Sequence, residues 1–438
     1  MHTLTPDQQK AADDFFAFLM SDAKTFVLSG GAGVGKTFLM SHICNTVMQE
    51  YTDTCKMLGE NQIYTEVAFA ATTNKAAEVL EKSLGLPTQT IQSYLALKVK
   101  ENFKTGKTSL EKTASWKVRT NQIVFIDESS MIDANLYDVI MESFENSKIV
   151  FVGDHAQMAP VDDSVSPVYT NVDEDHFVFL AQPVRNANSP ALVNLCSQLR
   201  DTVETGVFRP IQNIPGSVEY LDGPQMQSKL QDIFATDLNP SCRILAYTND
   251  RVKEFNAYIR EIRGLPEKVS VGDVLVSAST YQVGKSTLNV EREVTVSHIY
   301  EDVRDHGYGE IFEDGKPILT RYMDVILRHG GIMAVNIAEE PERLKVAIKH
   351  FASKKNWSTY FDLKGLCADL RDKAACTVYK SQGSTYESVF IDLGNIGSSF
   401  SPDQVARMVF VAASRATTKV YLFGRLPARY HNTSEKVA

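Results

Sequence analysis

Short runs of uninterrupted apolar residues recur along the chain, each followed by a stretch whose apolar positions return every three or four residues. Thr25-Phe26-Val27-Leu28-Ser29, Val67-Ala68-Phe69-Ala70, Ile123-Val124-Phe125-Ile126 and Ile149-Val150-Phe151-Val152 read as buried strands. Between them, Leu39, Ile43 and Val47 share one helical face, and Leu136, Ile140 and Phe144 share another that Asp133 can cap. A further helix runs through Leu84, and the first opens at Thr5-Pro6, with Thr5 as N-cap and Phe15, Phe16 and Leu19 as its apolar face. The second half repeats this alternation, with strand Arg243 to Thr248, helix Val252 to Ile262, strand Val389 to Leu393, helix Asp403 to Ala413 and strand Val420 to Phe423. Apolar strands alternating with amphipathic helices predict an α/β fold of doubly wound parallel sheets, whose ligands gather beyond the strand carboxyl ends.

From about residue 268 to 370 the rhythm changes. Val269 and Val271, Val274 and Val276, and Val294, Val296 and His298 alternate with polar residues, which predicts small antiparallel β structure. Helical spacing returns at Leu344, Ala347, Ile348 and Phe351. The chain therefore divides into a first parallel domain (1–95 and 120–180), an insertion (96–119), a second parallel domain (181–267 and 371–438) and an accessory β and helical segment (268–370).

Composition sets limits. At 438 residues the chain exceeds one ordinary core, and 43% hydrophobic with 23% charged residues is the balance of a globular protein. No run approaches the ~20 apolar residues of a membrane span. Asp7, Asp13 and Asp14 stand where a signal peptide would be basic, and six scattered cysteines form no C-x-x-C pair; a reducing cytoplasm is expected, with no membrane partner. The net charge of −9 hides a basic stretch, Lys98 to Arg119, with seven basic residues against Glu101 and Glu111. Charge runs are commonly solvated faces, but here Phe103 and Trp116 are interleaved.

The chemistry centres on Gly30-Gly31-Ala32-Gly33-Val34-Gly35-Lys36-Thr37, set between strand and helix. In that context G-x-x-x-x-G-K-T is a phosphate-binding loop. Its backbone N–H groups cradle phosphates, Lys36 reaches the β and γ phosphates, and the Thr37 hydroxyl ligates Mg²⁺. ATP and Mg²⁺ are the implied ligands. Asp127-Glu128, at the end of a buried strand, supplies an acid to hold Mg²⁺ through water and a general base for the attacking water. Alone, such a pair is equally a helix N-terminal charge pair; downstream of a complete phosphate loop it completes an ATPase site. Gln157 stands where it can sense a γ phosphate, and Arg185 and Arg415 are candidate arginines for its charge.

The ordered blocks LTPDQ, GGAGVGKT, AATTNKAAEVL, TIQSYL, DESSM, GDHAQMAPV, LAQPVR, YTNDRVKEFN, TVYKSQGSTYE and VAASRA resemble motifs Q, I, Ia, Ib, II, III, IV, a following block, V and VI of the superfamily 1 helicases. Within them the likeness is to the RecD-like, 5′-to-3′ group that includes the phage Dda helicase, and it covers nearly the whole chain. It implies two RecA-like domains clasping ATP, with Gln8 on adenine and Glu387 near the nucleotide cleft. Gln157, Arg185 and Arg415 would meet the γ phosphate. Thr72, Thr73, Asn74, Thr90, Gln92, Pro160, Asn249, Thr377, Tyr379, Lys380 and Ser381 match positions along the single strand. Gln92 and Tyr379 stand where many relatives have His; both still hydrogen-bond, and Tyr379 can stack on a base.

The basic insertion matches a pin that splits duplex DNA, with Phe103 and Trp116 as fork-stacking residues or, equally, as anchors of the hairpin. The β-rich insertion resembles an SH3-like accessory domain that braces it. Motif I begins by residue 30, which favours a free-standing, monomeric helicase from a phage or other compact genome, acting in its host's cytoplasm. Its partners would be single-stranded and forked duplex DNA, with a single-strand-binding protein alongside. An RNA helicase of the same superfamily, and a nucleic-acid scaffold switched by ATP without unwinding, are the alternatives.

Overall fold

The computed structural model describes residues 3–160, 165–182, 184, 189–236, 239, 241–284, 286–327 and 330–430. The chain forms two compact units: Met1–Ala96 with Ala114–Val252 and Ala375–Ala438, and Leu97–Thr113 with Lys253–Ala374. The hairpin thus groups with the inserted segment rather than with its sequence neighbours.

The first unit holds two parallel sheets. One has six strands in the order Phe177–Leu180, Thr25–Gly30, Lys148–Gly153, Gln122–Asp127, Glu66–Ala71, Thr88–Thr90. Its central strands are apolar runs because both faces are covered, while the edge strand Thr88–Thr90 is polar. Helix Pro6–Leu19 lays Phe15 and Phe18 on Phe26, with ring centroids 5.5 and 5.2 Å away, and Phe15 also stacks on Phe125. Thr5 and Gln8 form a reciprocal capping box at the start of that helix. Register aligns the working ends: Ser29 pairs with Gly153, and Ala71 with Asp127.

Leu39, Ile43 and Val47 are all buried. In a regular α-helix a spacing of four drifts by ~40° per step, so the three residues spread over ~80° of one face. A π turn at Ile43–Val47 takes up the drift.

The second sheet has five parallel strands: Val218–Leu221, Ala416–Phe423, Tyr386–Asp392, Cys242–Ala246, Ala375–Thr377. Helix Pro402–Ser414, buried without interruption from Val405 to Ala413, covers it and packs on helix Pro190–Thr205. Both sheets have the α/β architecture expected from the alternation of apolar runs and amphipathic helices.

The second unit is an antiparallel sheet in the order Ile332–Ala338, Leu319–Leu327, Glu293–Asp305, Val274–Ser277, Leu370–Asp372, with helices Pro341–Ser353 and Trp357–Leu366. Buried Arg260 bonds Asp273 and Asp372, each at 2.9 Å, which ties its helix to the sheet. Strands Leu97–Glu101 and Thr108–Lys112 form the hairpin. Its turn places Gly106 (φ +71°) against the Trp357 ring and Phe103 edge-on to Phe361 at 5.3 Å.

Candidate active site

The glycine-rich loop leaves the end of strand Thr25–Gly30 and enters helix Lys36–His42. Gly33 (φ +83°) and Gly35 (φ +84°) adopt the left-handed conformation that glycine alone takes at no steric cost. A Cβ on Gly30 would meet the Leu180 carbonyl at 2.9 Å, so the loop lies close against the neighbouring strand. The Lys36 ammonium donates to the carbonyls of Gly30 (2.7 Å) and Gly31 (3.0 Å).

Three carboxylates, Asp127, Glu128 and Asp154, lie within reach of the Lys36 charge. Burial raises Asp127 above the ordinary carboxylate range, against the pull of Lys36 and the bond it accepts from the Glu128 N–H. Burial and the Asp127 carboxylate push Glu128 up to about 7, opposed by Arg415 and Lys36. A carboxyl poised there is matched to accepting a proton from water at neutral pH. Burial also raises Asp154, but Arg200 and Lys36 outweigh it and hold the group below its usual value. One buried oxygen of Asp154, Oδ2, has no hydrogen-bond partner among the described residues.

This set fits a nucleoside triphosphate with a divalent cation. The loop supplies crowded glycines and converging amides, Lys36 a cation, and Thr37 and Asp127 the hydroxyl and carboxylate oxygens that Mg²⁺ prefers alongside phosphate.

The second sheet contributes from the opposite side. Arg415, at the end of helix Pro402–Ser414, is buried, bonds Ser414 (2.9 Å) and Ser384 (3.4 Å), and acts on the Glu128 charge. A Cβ on Gly383 would sit 3.7 Å from Glu128 Oε1. Gln157 is buried, and its side-chain oxygen accepts from Gln382 at 3.4 Å.

Two arginines that sequence reasoning passed over complete the join. Arg407, 7% exposed, donates to the carbonyls of His155 (2.6 Å) and Gln157 (2.8 Å) and pairs with Asp403. Arg200 bonds Asp154, lies between Phe179 and Phe410, and comes within 3.7 Å of the Cβ position of Gly31. Ala156 and Met158 pack into the second sheet's core, so the Gly153–Pro160 segment leaves one sheet and docks in the other. Arg185 and Val161 lie outside the described residues.

Gln8 is held inside the protein. At 2% exposure, its Oε1 accepts from the Thr5 N–H and its Nε2 donates to the Val34 carbonyl at 2.9 Å. Its amide braces the loop and caps a helix. Glu387 is exposed at the start of strand Tyr386–Asp392.

Comparison with known proteins follows the same lines. Residues 3–209 match a family described as AAA domain, and residues 373–423 a UvrD-like helicase C-terminal domain. The chain is 23% identical to the ATP-dependent DNA helicase Pif1 of Campylobacter jejuni, over 89% of this chain and 86% of that one. It is 20% identical to the RecBCD enzyme subunit RecD of Buchnera aphidicola, over 84% of this chain and 65% of that one. Its fold matches Bacteroides Pif1 in complex with ADP-AlF3 and ssDNA at a TM-score of 0.53, with 14% identity, covering 97% of this chain and 93% of that one. In sequence and fold the chain is similar to the RecD and Pif1 helicases. Its two parallel sheets are RecA-like domains of the P-loop NTPase fold. The narrower likeness to the phage Dda helicase rests on motif wording alone.

The residues matched to strand contacts fall into distinct settings. Thr73, Thr90 and Thr377 are N-caps, accepting from the amides of Ala76, Ser93 and Lys380. The Thr72 hydroxyl donates to the Glu128 carbonyl at 3.0 Å and links motif Ia to motif II. Asn74 and Asn249 are exposed, while Gln92, Pro160, Tyr379 and Lys380 are half-buried. Ser381 does not fit the expectation: it is fully buried and donates to the Val378 carbonyl at 2.7 Å, so it holds the turn and faces no strand. Trp116 lies beyond the hairpin, half-buried, with its indole N–H on Ser143 Oγ at 3.1 Å, which is the anchoring arrangement. Phe103, in the hairpin turn, remains 56% exposed. Among the described residues no helix is long and apolar enough to cross a membrane.

Proposed function

We propose that this protein hydrolyses ATP to move 5′ to 3′ along single-stranded DNA and to part the strands of a forked duplex. The observation that carries the reading is the meeting of Glu128, from one RecA-like sheet, with Arg415 and Gly383 from the other. A nucleotide site with walls from two domains makes domain closure depend on the state of the nucleotide. Similar proteins point the same way: Bacteroides Pif1 has been captured with ADP-AlF3 and ssDNA, and another solved Pif1 structure concerns unwinding of forked dsDNA by two coordinating Pif1 helicases.

In this mechanism the loop amides and Lys36 hold the β and γ phosphates, and Thr37 and Asp127 face the cation. Thr37 and Asp127 would hold Mg²⁺, which would supply charge neutralisation at the phosphates. Glu128 takes a proton from the attacking water. Gln157, Arg185 and Arg415 meet the developing charge on the γ phosphate. Motif Ia, through Thr72, and the Gly153–Pro160 segment, through Arg407, carry the change to the strand-holding residues Thr73, Asn74, Thr90, Gln92, Pro160, Asn249, Thr377, Tyr379 and Lys380. Phosphate contacts dominate the grip, so affinity falls with salt. The hairpin, backed by Phe361 and Trp357 of its own unit, meets the fork. The enzyme works as a monomer, and a protein that coats the released single strand is its natural partner.

Unwinding of duplexes with a 5′ tail, a 3′ tail or no tail tests the proposal. Displacement only with the 5′ tail is expected; displacement only with the 3′ tail reverses the direction. ATPase stimulation by RNA but not DNA, or by neither, would replace the reading with an RNA helicase or a non-unwinding switch.

A further inference from the structure

Phe400 is the most exposed large apolar side chain among the described residues, at 91%. Scattered exposed apolar residues are ordinary. Phe400 differs in how firmly its base is held and in what lies beside it.

It sits between the helical turn Leu393–Ile396 and helix Pro402–Ser414, beyond the carboxyl ends of strands Cys242–Ala246 and Tyr386–Asp392. Asn395 locks the turn to the neighbouring strand end, its Oδ1 accepting from the N–H groups of Tyr247 (2.8 Å) and Thr248 (3.0 Å). Arg429 donates to the carbonyls of Gly397 (3.1 Å) and Ser399 (2.7 Å). The Tyr430 hydroxyl reaches the Ser399 carbonyl as well, at 3.3 Å. Ser399 Oγ donates to Gln404 Oε1, and Gln404 Nε2 donates to the Tyr379 hydroxyl at 2.7 Å. One amide therefore spans from the residue before Phe400 to the motif V tyrosine. The guanidinium of exposed Arg429 lies 5.8 Å from the Phe400 ring centroid.

A solvent-facing aromatic ring on a firmly held backbone, with a cation at its side and one amide away from a strand-holding residue, suits an unpaired nucleobase and its phosphate. We propose that Phe400 is a stacking platform for a base of single-stranded DNA, with Arg429 beside the adjoining phosphate. This extends the DNA track on the second RecA-like domain past Tyr379, and it rests on the helicase reading above. Phenylalanine has no hydrogen-bonding group, so the platform accepts any base. It requires a base free of its duplex partner, and so favours single strands over duplex.

The test is anisotropy binding of labelled 12-nucleotide single strands to the full chain, with abasic sites placed at each position in turn. Loss of one stacked base at an open site weakens binding roughly 5- to 10-fold, the lower part of the range for such contacts. Phe400→Ala should show that loss on intact strands. One abasic position should weaken the parent by a similar factor and leave Phe400→Ala unchanged. Phe400→Trp should bind as the parent does, with its added indole emission quenched by DNA. Thermal midpoints of the variants report whether they fold.

Parent-like binding by Phe400→Ala overturns the platform while leaving the helicase reading in place, and points instead to a protein partner for the ring. An equal loss on intact strands and on every abasic strand also overturns it, because the loss then passes through no base. Failure of the parent itself to bind single-stranded DNA overturns both.

Discussion

Arg407→Ala is expected to loosen the join between the two RecA-like domains. The side chain is buried in helix Pro402–Ser414 and donates from one nitrogen to the carbonyls of His155 and Gln157, at 2.6 and 2.8 Å. Truncation leaves two carbonyls without a charged donor. Each such bond is worth about 1.5–3 kcal/mol, and sharing of a single donor keeps the total to about 3–5 kcal/mol. The Asp403 partner is half exposed, so its share is small, about 0–1 kcal/mol. For a domain of this size the loss corresponds to a fall of about 6–20 °C in the melting midpoint, read by differential scanning calorimetry. Gln157 loses its backbone support at the same time, so DNA-stimulated ATP turnover should fall more than nucleotide binding. Arg407→Lys, which keeps the charge but not the fork, should lie between. A variant that melts with the parent and turns over ATP at the parental stimulated rate would refute the reasoning.

Three further outcomes are expected. Lys36→Ala should abolish hydrolysis and unwinding, while Arg415→Ala should lower turnover more than ATP binding; single-turnover phosphate release and nucleotide titration separate the two. Gly106→Ala places a Cβ on the Trp357 ring at a positive φ, so unwinding should drop severalfold while single-strand-stimulated ATPase is retained, and equal losses in both assays would count against the hairpin as a separate working part. Burial of Asp7 is outweighed by the bonds it accepts from the Thr5 hydroxyl and the amides of Gln182 and Ala181, leaving its folded value below the ordinary 3.8. A depressed carboxylate gives stability that is present above the unfolded value and lost as pH falls through the folded one. Asp7→Asn should therefore flatten the acid limb of the melting-temperature profile below about pH 4, and an unaltered limb would remove Asp7 from the account.

Much of this was legible in the chain because buried parallel strands announce themselves as apolar runs, and because glycine, lysine and paired acids at fixed offsets leave few other readings. The bracing role of Gln8 was not legible because a helix-capping amide and a base-reading amide look alike in one dimension. Ser381 misled because a hydroxyl in a motif does not show that it is sealed under its own turn. Edge strand Val218–Leu221 carries only four residues, two of them apolar enough to register. Arg200 and Arg407 belong to no spaced pattern, since lone arginines on helices are usually solvated. Arg407 did carry a signal: it stands in the run Val405 to Ala413, where every other residue is apolar, and a charge in such company has to be paired inside.

Asp7 and Gln8 are consecutive residues, yet one fastens the amides of Ala181 and Gln182 and the other the carbonyl of Val34. A single peptide unit is thus the rod between the phosphate-gripping turn and the segment that leads into Arg185. Strain entering at either end has almost no slack in which to dissipate, and by reciprocity whatever stiffens that segment should also sharpen the grip on phosphate.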